Sequence, residues 1–149
     1  MICRSGVSFF LVLMLFAACC GVFATAGLSA AGTDSPTDNN KERNVGFSSQ
    51  VQPLFDANCV VCHQSAGASG GLDLEEGDAY KSIVSVKSQE SSSPRVDPGK
   101  PETSYLLRKI EGTHIQAGGS GEQMPPSGKL STALIDVVRS WISAGAANN

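Results

Sequence analysis

The sequence predicts an all-α domain, and three observations lead there. Apolar residues recur at helical spacing in three separate segments. Each of those segments carries a start signal, and two of them end on a glycine. No segment alternates as a half-buried strand. Aromatic residues make up 6% of the chain and charged residues 17%, with Gly, Ser and Pro common between the segments. Helices this few and this short leave a modest apolar core, so the middle of the domain calls for something besides side chains.

The first helix is expected to begin at Ser48 or Ser49 as N-cap, with Val51, Leu54, Phe55 and Cys59 on one face. Pro53 falls within or just past its first turn, where a missing N–H costs least. The second reads "TSYLLRKIEG". Thr103 or Ser104 caps it, Leu106, Leu107 and Ile110 form its apolar face, and Gly112 stops it. The third, "LSTALIDVVRSWISAG", is the clearest. Ser131 is its N-cap, Leu130 can staple onto Ile135, and Leu134, Val138, Trp141 and Ile142 repeat at helical spacing before Gly145. A short helical turn is expected between residues 75 and 83, and a Ser- and Pro-rich loop over 87–100.

The domain proper spans 47–149. Residues 1–26 read as a signal peptide: an early cation, Arg4, then an apolar stretch, then Ala24-Thr25-Ala26 in the small-x-small pattern of a cleavage site. A variant is a lipoprotein signal ending at Cys19, or an uncleaved anchor, either of which would tether the protein to a membrane. Residues 27–46 are polar and aperiodic, as in a disordered linker. With the formal net charge at −3 and no basic run, nothing points to nucleic acid. Removal of the signal leaves Cys59 and Cys62 as the remaining cysteines, Met124 as the remaining methionine, and His63 and His114 as the histidines.

Cys59-Val60-Val61-Cys62-His63 is a Cys-x-x-Cys-His motif, which in an exported chain reads as covalent attachment of haem c. Positions i, i+3 and i+4 share a face of a helical turn. Cys59 and Cys62 can then form thioethers with one porphyrin while His63 meets the iron. A disulfide oxidoreductase would want strands around the motif. Zinc would want a second ligand pair where only His114 is left. A bare disulfide would leave His63 unexplained. The sixth iron ligand is expected from Met124 in "GEQMPPSGKL", where two prolines stiffen the loop behind the thioether. His–Met ligation raises the reduction potential, which suits electron transfer. His114, in a Gly-rich loop, is the alternative ligand, with solvation its plainer role.

Gly70, Gly71 and the glycines between 118 and 121 are expected to let backbone pass close to the flat ring. Leu72, Leu106, Leu107 and Ile110 serve as pocket wall or as ordinary core, and the sequence does not separate the two. Arg95 and Arg108 either pair with haem propionates or stay in solvent, with solvent favoured. Tyr105 either bonds a propionate or packs. The run "DLEEGD" lacks a calcium-loop pattern and reads as a solvated face.

These residues resemble a known family. "VQPLFDANCVVCH", "GGLDL", "DPGKPETSYLLRKI", "MPPSGKLS" and "VVRSWISAGA", in that order, are similar to the planctomycete-type cytochrome c domain of the class I c-type cytochromes. The resemblance implies a cytochrome c-like helical domain wrapped around one covalent haem c. In it the first and last helices cross, with Phe55 meeting the Trp141–Ile142 face. It implies Cys59 and Cys62 as haem attachment points and His63 and Met124 as axial ligands. Gln64-Ser65 and "ESSSPRV" depart from the family's usual loop residues.

The expected function is an exported monohaem cytochrome, periplasmic or on the outer face of the cytoplasmic membrane. It would work as a monomer, carry single electrons between redox protein partners met in trans, and catalyse no bond chemistry. The alternatives are a peroxidase-like haem enzyme or a small-ligand sensor, either needing a displaceable sixth ligand.

Overall fold

The computed structural model describes residues 45–149. The signal, the lipoprotein variant at Cys19 and nearly all of the linker lie outside the described residues. Within them the fold is all-α. Helix α1 spans Gln52–Asn58, α2 Ala79–Ile83, α3 Tyr105–Glu111 and α4 Thr132–Ser143. A π-type turn, Phe47–Val51, leads into α1, and 3₁₀ turns occupy Ser69–Gly71 and Pro101–Thr103. No strand forms among the described residues. The 84–96 segment instead folds back on itself through two isolated bridges, Val84 with Val96 and Lys87 with Pro94. No described helix is long and apolar enough to cross a membrane.

The start of the first helical segment differs from expectation. Neither Ser48 nor Ser49 caps it, and winding begins at Phe47. Asn149 supplies the cap. Its side-chain oxygen accepts from Phe47 N–H at 2.9 Å, and its carbonyl accepts from Ser48 N–H at 2.8 Å and from Ser48 Oγ at 2.6 Å. A partner 101 residues away satisfies the free N–H groups that a local serine was expected to take.

Helices α3 and α4 end and begin as the sequence expects. Gly112 takes the left-handed conformation, φ 74°, that closes α3. The Ser131 side chain accepts from Leu134 N–H at the start of α4. Ser104 caps α3 in position but not in bonding, since its hydroxyl donates to the Lys100 carbonyl and accepts from Asp97 N–H. On α4 the inward register is Ile135, Val138, Trp141 and Ile142, and Leu134 faces out. Leu130 and Ile135 are both buried in the core, as a staple requires.

Four aromatic rings organise that core. Phe47 sits 5.2 Å from Trp141, 5.3 Å from Tyr80 and 6.3 Å from Phe55, centroid to centroid. The meeting of the first and last helical segments thus runs through Phe47 in the entry turn, with Phe55 behind it. The polar ends of the rings are satisfied by the closing residues of the chain. Trp141 Nε1 donates to the Ala147 carbonyl and Tyr80 Oη to that of Ala146.

Phe47→Ala is expected to lower unfolding free energy by about 3–5 kcal/mol, because it empties the centre of this cluster. Leu134→Ala is expected to change it by less than about 0.5 kcal/mol. Denaturant titration of the two variants checks the register directly.

Candidate functional site

The trio 59–63 follows α1 without continuing it. Cys59 closes the helix with φ −129°, its N–H bonded to the Phe55 carbonyl at 2.8 Å. A new turn then starts, in which the Cys59 carbonyl accepts from Cys62 N–H and His63 N–H at 3.1 and 3.0 Å. Because α1 ends at Asn58, the three side chains do not share one regular helical face. Cys59 and His63 line a cavity; Cys62 is exposed and does not. The expectation that both cysteines converge on the cavity with His63 and Met124 is corrected to this extent. Both thiols are free. Burial pushes the Cys59 thiol up to about 11, so it rests there as a neutral SH.

The cavity has an empty volume of about 850 Å³, the open solvent at its mouth included. Leu72, Leu74, Ile83, Leu106 and Ile110 form its apolar walls. Leu107, which the sequence could not separate from these, turns to the core instead. Met124 lines the same cavity as His63. Its N–H donates to the Lys109 carbonyl at 3.2 Å, which ties the Met124 loop to α3. His114 is not among the lining residues. It is buried rather than solvated, and its Nε2 bonds the Gly121 carbonyl at 3.0 Å.

The His63 ring is held in one orientation. Its Nδ1 lies 3.0 Å from the Ser69 carbonyl. A carbonyl only accepts, so Nδ1 carries the proton and Nε2 keeps its lone pair. A backbone carbonyl on the far nitrogen is the usual support of a metal-bound histidine. The Ser69 carbonyl is aimed by the turn behind it, where Gly70 and Gly71 adopt φ of 64° and 61°. A Cβ on Gly71 would stand 2.6 Å from Gln89 Nε2. At Gly119 the backbone passes close to protein, since a Cβ there would run into Tyr105.

Arg95 braces that turn. The sequence favoured solvent for it, yet it is buried and lines the cavity. Its guanidinium donates to the carbonyls of Ser82 at 2.8 Å and of Gly70 and Gly71 at 3.0 Å each. Burial lowers its proton affinity, but a guanidinium remains charged at any physiological pH. Arg108 behaves differently. It reaches the Glu102 carbonyl from the surface, away from the cavity. Arg95 and Lys109 are what the sequence reading missed. Lys109 had a signal, because it sits at i+3 from Leu106 and i−1 from Ile110 on the buried stripe of α3.

The acidic run holds no metal-ligand cluster, and none occurs among the described residues. Its Glu75 supports the loop after His63. The Glu75 carboxylate accepts from Ser65 Oγ at 2.5 Å and Ser65 N–H at 3.0 Å, and these bonds hold its pKa below the usual value.

Taken together, these residues fit haem c: an apolar cavity lined by a preset imidazole, a thioether and a neutral thiol.

Comparison with known proteins agrees with that fit. The family model described as Planctomycete cytochrome C matches residues 59–128, from Cys59 to just past Met124. The chain is 29% identical over 107 residues to hydrazine synthase subunit alpha of Kuenenia stuttgartiensis, covering 61% of this chain and 13% of that subunit. No solved structure matches. The relative is a subunit of an enzyme, and that overturns the expectation that the protein catalyses no bond chemistry.

Two outcomes test this geometry. Arg95→Lys keeps the charge but cannot span the Ser82 and Gly70–Gly71 carbonyls at once, and a stability loss of about 1–3 kcal/mol is expected by denaturant titration. For Glu75, a depressed carboxyl pKa contributes stability above the unfolded value of about 4.3, and that contribution is lost as pH falls through the folded value. Melting temperature should therefore fall more steeply below about pH 4 in the parent than in Glu75→Gln. Over residues 59–128, the chain is similar to the Planctomycete cytochrome C family.

Proposed function

We propose that the domain is a monohaem c-type cytochrome that passes single electrons between redox partners. In this reading Cys59 and Cys62 carry the thioether links, and His63 and Met124 are the axial ligands. The observation that carries it is the placement of His63 and Met124 on one apolar cavity with Cys59 at its edge. When bound, the haem would supply a one-electron couple, tuned upward by thioether and imidazole ligands from Met124 and His63. The chain's own residues bind, orient and exclude water. Ser69 fixes the His63 tautomer, and the leucine and isoleucine walls keep the site dry. The exposed Cys62 edge is the side from which the cofactor meets solvent and partners. The signal-like N-terminus supports an exported protein that meets redox proteins in trans.

The enzyme relative favours a second reading, in which the domain serves a catalytic assembly, either as its electron relay or with a sixth position that opens to a small ligand. The two differ at Met124.

The experiment is the absorption spectrum of protein made with a cytochrome c maturation system, beside Met124→Ala and His114→Ala. The carrier reading expects low-spin bands and the weak long-wavelength sulfur-to-iron band, lost in Met124→Ala and kept in His114→Ala. A high-spin parent that takes carbon monoxide readily would overturn His–Met ligation and bring the open-site reading forward.

A further inference from the structure

We propose that Lys109 is a positioning residue for Met124: its buried ammonium clamps the 119–124 segment onto α3 and so sets how firmly Met124 is presented to the cavity. This rests on the reading of Met124 as sixth ligand given above.

The clamp is complete in its bonding. A lysine ammonium has three protons to give. Lys109 Nζ donates to the carbonyls of Ser120 at 2.8 Å and Glu122 at 2.9 Å, and pairs with Glu90 Oε2 at 2.6 Å. The Lys109 side chain is 8% exposed, so the charge is held out of water. A charge so buried persists only where it is paired and bonded. The same residue holds the segment twice, since its own carbonyl accepts the Met124 N–H.

Neighbours complete the hold. Tyr105, one helical turn before Lys109, accepts from Ser120 N–H at 3.2 Å and donates toward the Ser120 carbonyl at 3.1 Å. The ammonium also lies 5.6 Å from the Tyr105 ring centre. His114 takes the Gly121 carbonyl. Gly121 has φ 76°, and a Cβ there would stand 2.5 Å from Glu90 Oε1 and 3.0 Å from Lys109 Nζ. The segment has no regular structure of its own. Its carbonyls find partners in α3 and the turn after it, and Tyr105, Lys109 and His114 are all buried.

A sulfur–iron bond is weak, and the loop that carries the sulfur decides how often it opens. Replacing the ammonium with an uncharged chain of similar length leaves the Glu122 carbonyl without its donor, and the Ser120 carbonyl and Glu90 carboxylate to share the Tyr105 hydroxyl. The loop then departs more often, and Met124 with it.

The test uses the haem-loaded protein: parent, Lys109→Met, Tyr105→Phe and Val138→Ala. Val138 is fully buried in the aromatic-side core and does not line the cavity, so it controls for general loss of stability. The readouts are the sulfur-to-iron band of the oxidised form, the rate of carbon monoxide binding to the reduced form, and the melting temperature. Lys109→Met should weaken or lose the band and bind carbon monoxide at least about tenfold faster. Tyr105→Phe should move both readouts the same way by less. Val138→Ala should lower the melting temperature and leave both readouts at the parent's values. The proposal is overturned if Lys109→Met keeps the parent's band and rate, or if Val138→Ala reproduces its effect. Should Lys109→Met fail to hold haem, an unchanged Tyr105→Phe overturns it equally. A parent that lacks the band defeats the Met124 reading itself, and shows this before any variant is made.

Discussion

Loop carbonyls without a helix or sheet to bond to are the constraint around which this domain is built. The loops that present His63 and Met124 are irregular, and both lie against an apolar cavity. No helix or sheet ladder takes the carbonyls of these loops, and any that packing closes off from water needs another donor. The fold meets the need with two cations drawn inward. Arg95 takes the Gly70 and Gly71 carbonyls behind Ser69, on the side of His63. Lys109 takes those of Ser120 and Glu122, on the side of Met124. Each ligand loop is thus braced by a charge whose own burial is tolerated because carbonyls surround it.

The remaining architecture serves this arrangement. The helices are short, from five residues in α2 to twelve in α4. They pack through the rings of Phe47, Tyr80, Phe55 and Trp141 on one side, and leave the cavity among α2, α3 and the loops after α1 and before α4 on the other. Asn149 stitches the end of the described chain onto the entry turn. A domain with so little helix is completed by what the cavity holds, and covalent links suit a cofactor that doubles as core.

Much of this was legible in the residues. The residues foretold Cys59, His63 and Met124 on one cavity, and α3 and α4 by period and caps. What escaped did so for physical reasons. A cap from Asn149 onto Phe47 and Ser48 is a long-range contact, and Ser48 beside the helix start offered a local candidate that sequence alone prefers. Leu134 and Ile135 are adjacent and equally apolar, so which one faces inward is decided by the tertiary partner. Ending α1 at Asn58 turned Cys62 outward, and nothing in the motif reports where the preceding helix stops. Arg95 was read as exposed because carbonyl-bound cations have no partner of opposite charge for the sequence to display. The family match bears on 59–128, and the enzyme relative removed an expectation that no residue pattern could have supported.

The claim on which the account stands is that His63 and Met124 meet on one iron in this cavity. Proton NMR of the reduced, diamagnetic protein tests it most directly. A methionine methyl held against the haem face lies in the ring current and is shifted far upfield of every other aliphatic signal. The account predicts one such methyl resonance, absent from Met124→Ala. A spectrum of the folded, reduced parent with no upfield methyl, or with one that survives Met124→Ala, would contradict it.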